Sequence, residues 1–358
     1  MFLALNEIKH SKLRYALVIG VTFLIAYLVF FLSGLAYGLA QQYQLAVNKW
    51  QATNILLSDK ANDTLAMSMI DLDAINQVKA KDKAVLAQTP GIIINLKKSD
   101  DKQNVSFFGI KADEFLKPNI TEGKMFSQKG EVVADDSLKT RYNYKIGDQV
   151  KLATNDQKLT IVGFTDEAKF SVSPVLYSSL DTFKLIRYGD DASNAGKQGL
   201  SVNAIVTKGT VSEMPSGLEK MTIPEFINVQ PGYHAQVLTF SFMIGFLVVI
   251  AAVVIGIFIY VLTMQKVAIF GVMKAQGISS SYIARSVIAQ TVLLSAGGVI
   301  AGLVVTLLSS LALPDAVPFQ NNPMFLAGIG ILIILVAILG ALFSVRSIVK
   351  IDPLKAIG

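Results

Sequence analysis

Few side chains in this sequence could carry covalent or hydrolytic chemistry. Its 358 residues hold no cysteine and only two histidines, His10 and His234. No glycine-rich loop ends in Gly-Lys-Ser/Thr, and the stretch from Gly271 to Gly277 lacks both the lysine and the preceding strand of a phosphate-binding loop. The carboxylates are spread through 41–234 with no recognisable pair spacing, so no acid–base dyad is visible and no metal-ligand cluster is expected. One loop has mechanical rather than chemical potential. In 265–278, Val267, Phe270, Met273 and Ala275 fall near one helical face, Lys266 and Lys274 supply positive charge, and Gly277 is a natural stop. Such a segment reads as a short amphipathic helix at a membrane surface. It would be either a lipid-surface anchor or a coupling element inserted into a separate cytoplasmic subunit, with Lys266, Phe270, Met273 and Lys274 as the engaging residues.

The elements that must position this loop are four runs free of Lys, Arg, Asp and Glu, at 15–40, 235–263, 286–313 and 324–345. About 20 apolar residues span roughly 30 Å of hydrocarbon, and a soluble core helix rarely stays uncharged for so long. The first run, at about 26 residues, exceeds the roughly 7–15 of a signal-peptide core, which favours an uncleaved helix over a signal cleaved near Gly38-Leu39-Ala40. Charge then orients the chain. Segments 1–14, 264–285 and 346–358 together carry nine basic and two acidic residues, while 41–234 carries 23 of each. Short basic loops stay in the cytoplasm. Both termini and 264–285 are therefore expected inside, with 41–234 and the turn 314–323 outside. Positive charge that hugs the membrane argues against nucleic-acid binding.

Between the first two runs, short apolar stretches alternate with turn residues. Strands are expected at 53–58, 85–88, 91–96, 105–110, 131–134, 149–153 and 159–164, with turns at Pro90-Gly91 and Asn155-Asp156. Helices are expected at 135–142 and 179–188, and 189–200 reads as a surface loop. Residues 41–47 would continue the first helix as a stalk. Thr222-Ile223-Pro224-Glu225 has the spacing of a capping box, and Pro231-Gly232 would break the chain before the second transmembrane run. Irregular mixing of strands and short helices implies an α+β domain, held by its core in the absence of disulfides.

Phe270-Gly-Val-Met-Lys-Ala-Gln-Gly277 resembles the cytoplasmic loop of FtsX/MacB-type ABC transporter permeases, and Arg346-Ser-Ile-Val-Lys-Ile-Asp-Pro-Leu-Lys-Ala-Ile-Gly358 resembles their basic, proline-containing ending. Glu131-Val-Val-Ala-Asp-Asp-Ser-Leu, Ile146-Gly-Asp-Gln-Val and Ile161-Val-Gly-Phe164 are similar to the core of the family's outer domain. Gln265-Lys266 and Pro231-Gly-Tyr-His-Ala-Gln236 look most like haem-exporter permeases of Gram-positive bacteria. Ile269 stands where many members carry an acid. The resemblance implies a homodimer paired with two cytoplasmic ATPase subunits that bind the ATP, and a permease that is not itself an enzyme. It implies haem as the substrate, with no prosthetic group. Rival readings are an exporter of antimicrobial peptides or lipids, and a non-transporting regulator of a cell-wall hydrolase.

Haem iron takes His, Met, Cys or Tyr ligands. With cysteine absent, the candidates near the outer membrane face are Tyr233, His234, Met243 and Tyr37, each with a plainer role as interfacial anchor or packing residue. Gly297, Gly298, Ala301 and Gly302 recur at a spacing that permits close helix packing. The expected protein is thus an α-helical membrane protein of the plasma membrane, with four transmembrane helices and an α+β extracellular domain inserted between helices 1 and 2.

Overall fold

The computed structural model describes residues 12–189, 201–314 and 317–349. Expectations for 1–11, 190–200, Asp315 and the tail 350–358 lie outside the described residues, as does the side chain of Arg346. Two compact units divide the chain: Leu39–Gln236, and Met1–Gly38 together with Val237–Gly358. Helix α1 (Lys12–Lys49) runs without interruption from the apolar stretch through the expected stalk, since 41–47 holds no proline or glycine to stop it.

The inserted unit is α+β. Its strands are β1 (Asn54–Ser58), β2 (Ile70–Asp71), β3 (Asp82–Asn95), β4 (Lys98–Ile110), β5 (Ile120–Gly123) and β6 (Glu131–Asp135). After helix α2 (Ser137–Tyr142) come β7 (Gln149–Leu152), β8 (Lys158–Thr165), β9 (Lys169–Phe170) and β10 (Ser173–Ser179). Helix α3 (Leu180–Tyr188), β11 (Ser201–Val202), β12 (Ala204–Lys208), β13 (Leu218–Thr222) and helix α4 (Ile223–Val229) complete it. The main path of the sheet runs β13-β1-β12-β3-β4-β10-β6-β8-β5, parallel at β4–β10 and β6–β8 and antiparallel elsewhere.

Successive strand residues point to opposite faces, and here both faces are covered. Leu57, Phe108, Val133 and Val206 meet Trp50 at the end of α1 and Phe226 of α4 on one side. Their neighbours Leu56, Phe107, Val132 and Ile205 meet Leu138 of α2 and Phe183 of α3 on the other. Burial on both faces explains why these strands read as unbroken apolar runs. The capping box forms as its spacing predicts: the Thr222 side chain accepts from the Glu225 amide, and Glu225 reaches back to the Thr222 amide.

One expectation is corrected. Pro90-Gly91 makes no turn, because β3 passes straight through it, pairing Pro90 with Ser106 and Gly91 with Val105 of β4. A proline removes a ladder donor, but the flank it faces carries no strand at that point. β12 pairs with β3 only as far as Leu86, and β7 joins only at Ile93. The Gln88 amide on the same flank is taken by the Asn203 side chain at 2.6 Å, and Pro90 follows two residues later.

The second unit is helical. Beyond the start of α1 it contains α5 (Tyr233–Met264), α6 (Val267–Ala275), α7 (Ser280–Leu311) and α8 (Pro323–Val349). α1, α5, α7 and α8 are each long and apolar enough to cross a membrane. α7 begins before the uncharged run expected at 286–313, because Ser279 caps it through the Tyr282 amide and Arg285 is tolerated in its first turns. Gly298 and Gly302 are the small residues that matter. A Cβ on Gly298 would lie 2.6 Å from Thr22, and one on Gly302 would lie 2.9 Å from the Tyr27 amide, so α7 meets α1 nearly backbone to backbone. Gly297 faces open space.

Candidate coupling and ligand sites

α6 occupies the segment in which spacing predicts a helix, and Gly277 ends it at φ +86°. Its orientation differs from the expectation. Phe270 is only 3% exposed and packs with Tyr15, Ile259, Ile283 and Val287 inside the helical unit, with Met273 half-buried against the same cluster. Phe270 therefore does not protrude into a partner's socket. The more apolar face of a short helix turns toward the larger apolar surface available, and here that surface belongs to the neighbouring helices. The large apolar residues of α6 left outside are Ile269, 58% exposed, and Val272, 44% exposed.

Lys266 sits just before α6. Its Nζ donates to the Tyr15 hydroxyl at 2.6 Å and lies 5.3 Å from the centroid of that ring. Arg14 Nη1 donates to Gln265 Oε1 at 2.8 Å. The start of α1 is thereby tied to the start of the α6 segment. Sequence reasoning missed this node of Arg14, Tyr15 and Gln265, since partners 251 residues apart leave no local pattern. Lys274, the remaining expected coupling residue, is half-buried in the last turn of α6.

The four ligand candidates fall in different settings. Tyr233 opens α5, is half-buried, and meets Tyr43 edge-on with ring centroids 5.6 Å apart. Gly232, at φ +84°, turns the chain immediately before it. Among the described residues no hydrogen bond engages the Tyr233 hydroxyl, which leaves its oxygen available. His234 is exposed, and Met243 is 42% exposed. Ten residues of helix separate Tyr233 from Met243, a rise of about 15 Å. That is too far for both to ligate one iron from the same chain. Tyr37 is already engaged: Asn322 Nδ2 donates to its hydroxyl at 2.9 Å, and its ring lies 5.6 Å from Phe325. Tyr37 therefore anchors the start of α8.

Where α1 ends, Lys49 Nζ bonds both the carboxylate and the carbonyl of Asp166. This hydrogen bond holds the Asp166 carboxyl below its usual range. Nearby Asp135 is fully buried and accepts from the Ser137 amide at 3.0 Å, the Ser137 hydroxyl and the Ala168 amide at 2.7 Å. Burial nevertheless pushes its carboxyl upward. Burial lowers Lys169, helped by Arg141, and raises the Tyr177 phenol, helped by the charge of Asp135. Asp135 thus fastens the loop that holds Asp166 through the Ala168 amide, its other hydrogen bonds going to its own turn.

Four membrane-length helices, a domain inserted after the first, and a short helix between the second and third define a transporter-type membrane subunit. The model for the MacB-like periplasmic core domain matches residues 15–214, and that for the FtsX-like permease C-terminal matches residues 241–353. The chain belongs to the FtsX/MacB-type permeases of ABC transporters. It is 25% identical over 371 residues to the "Putative hemin transport system permease protein HrtB" of Staphylococcus haemolyticus, covering 100% of this chain and 99% of that one. A protein of the same name from Staphylococcus epidermidis is 26% identical over 360 residues, with the same coverage. The periplasmic region of MacB from Actinobacillus actinomycetemcomitans aligns with a TM-score of 0.33 at 14% identity, over 50% of this chain and 92% of that one.

Proposed function

We propose that this permease exports haem from the membrane, as a homodimer driven by two separate cytoplasmic ATPase subunits. It would lie in the plasma membrane with both termini inside and the inserted domain outside. The observation that carries the substrate is the full-length match to two relatives named for hemin transport. The open Tyr233 hydroxyl at the start of α5 is compatible with it, since a phenolate can ligate ferric haem iron.

The mechanism is mechanical. Closure of the ATPase subunits would press on the outward face of α6 at Ile269 and Val272. Phe270, locked into the helical unit, would pass that displacement to α5 and α7, and the Lys266–Tyr15 and Arg14–Gln265 bonds would pass it to α1. α1 runs on past its apolar stretch as a single helix, Lys12–Lys49, so displacement of its start would travel along the stalk.

Tyr233→Phe tests the ligand. It keeps the ring, and with it the edge contact to Tyr43, and removes only the oxygen. Purified with its ATPase and given hemin, the wild type should show a Soret band. The variant should shift or lose that band, and cells carrying it should become haem-sensitive at unchanged expression. An unaltered spectrum would move ligation to His234 or Met243. A wild-type complex with no Soret band would remove haem as the substrate and leave the peptide or lipid exporter.

A further inference from the structure

The unpaired flank of β3 at Pro90 opens onto a cavity of about 160 Å³ inside the inserted domain. Gln88 and Ser106 line it from the sheet, Phe170 and Ser171 from the β9–β10 hairpin, and Phe226 and Gln230 from α4 and its end. We propose that this cavity binds a neutral secondary amide, as found in an N-acetyl group or a peptide bond. The two glutamines carry the argument. Gln88 is 5% exposed and Gln230 is 4% exposed. Gln88 Nε2 donates to Ser106 Oγ at 3.0 Å, while its Oε1 has no partner among the described residues. Gln230 Oε1 lies 3.5 Å from Ser171 Oγ, while its Nε2 has none.

A buried polar atom left unpaired is expensive, and here two such atoms belong to side chains that line one cavity. They offer one acceptor and one donor, the complement of an amide N–H and an amide C=O. Phe170 and Phe226 stand nearly parallel, with centroids 6.5 Å apart and planes at 15°, giving an apolar wall for the methyl or Cα that flanks such an amide. Among the described residues that line the cavity there is no lysine or arginine, and Asp63 is the carboxylate, so an anionic ligand is disfavoured.

The rim carries strain. Ser171 and Val172 form the two-residue tip between β9 and β10 at φ +48° and +69°. A β-branched residue in the left-handed region is a genuine outlier, and such outliers gather at ligand clamps. Gln230 is also the last residue before Pro231 and Gly232. An amide seated on its side chain would thus steady the segment that leads into α5.

The test uses the full-length protein in detergent and saturation-transfer NMR with four probes: N-methylacetamide, N-acetylglucosamine, N-acetylalanine methylamide and glucose. The first three should show transfer and glucose should not, and the stronger of the sugar and the peptide identifies the natural source of the amide. Gln88→Leu and Gln230→Leu should each weaken amide binding at least tenfold, read at a temperature where each variant's melting curve shows it folded, since each change also removes a bond to Ser106 or Ser171. Absence of transfer from every amide probe, or equal transfer from glucose and N-acetylglucosamine, would mean that the cavity holds only water and overturn the proposal. So would unchanged affinity in both variants. Haem binding does not enter this measurement, so failure of the haem reading would leave it standing.

Discussion

Along β1, β4, β6 and β12 of the inserted domain, neighbouring side chains are buried on opposite faces, and helices close both layers. Along α5 the pattern is different. Phe242, Phe246, Val249, Val253, Ile257 and Tyr260, spaced three or four apart, are each between 43% and 67% exposed. The domain finishes its own core. The helical unit leaves an apolar stripe to be covered by lipid or by the corresponding helix of a second copy. Within the helical unit, cohesion comes from close backbone approach at Gly298 and Gly302, and at the Gly256–Gly340 crossing of α5 and α8. At those crossings an added side chain has no room, because overpacking displaces the backbone itself.

The sharpest way to break this contrast is to ask whether the two units lie where the charge pattern puts them. The chain has no native cysteine. Lys129→Cys in the domain and Gln276→Cys beside α6 both replace exposed residues. On intact cells an impermeant thiol reagent should label the first and not the second, an all-or-none difference. The reverse pattern would invert the topology and the direction of transport.

Next in size are changes at the helix crossings. Gly302→Leu places a side chain where even a Cβ lies 2.9 Å from the Tyr27 amide and 3.0 Å from the Ala26 Cβ, so α1 must move away. A loss of about 3 kcal/mol or more is expected, read as a collapse in detergent-stable yield and melting temperature. Gly297→Leu, in open space, should be close to neutral. Equal tolerance of both would mean that α1 and α7 are not held by this contact.

Phe270→Asp and Ile269→Asp then separate packing from transmission. The first puts a carboxylate among Tyr15, Ile283 and Val287 and should destabilise the helical unit by roughly 3 kcal/mol. The second changes an exposed side chain, should shift stability by less than about 0.5 kcal/mol, and should still depress ATP-driven export severalfold. Normal export by Ile269→Asp would make the outer face of α6 a lipid anchor.

Legibility in the sequence followed the range of the interactions. Membrane-length helices, the α6 segment, the capping box at Thr222 and the α1 stalk rest on local periodicity and spacing, and all could be read directly. β10, β12 and β13 went unread because Ser173–Ser179, Ala204–Lys208 and Leu218–Thr222 mix polar and apolar residues and are fixed by partners distant in sequence. Pro90-Gly91 misled because proline's usual meaning assumes that both flanks of a strand are paired. The inward turn of Phe270 was likewise hidden: helical spacing gives a face, and only the neighbouring helices decide which way it points. Of the ligand candidates, Tyr233 could be placed at a helix start from Pro231-Gly232, whereas the bond from Asn322 to Tyr37 joins residues 285 apart.

The smallest effect concerns the end of α1. Lys49 and Asp166 are partly exposed, at 26% and 45%, so screening limits their pair to about 0.5 kcal/mol. Because the folded carboxyl of Asp166 is held below its usual range, its contribution is present above the unfolded value near 3.9 and is lost as pH falls through the lowered folded value. Asp136 and Lys169 are the other charged groups beside the pair, and Asp136 shifts the opposite way, raised chiefly by burial and then by Asp166. Its contribution therefore weakens as pH rises, and the two must be separated by difference. Lys49→Met keeps the aliphatic stem and removes the charge. In the full-length protein, amide exchange corrected for intrinsic rates should be faster in this variant around 46–50 and 165–168 at pH 7. The gap from wild type should begin to narrow as pH falls past the unfolded value near 3.9 and should close only below the lowered folded value. A gap that persists unchanged in acid would assign the protection to the packing of Val47 and Trp50 rather than to the ion pair, and the base of the stalk would then be as purely apolar as the sheet beneath it.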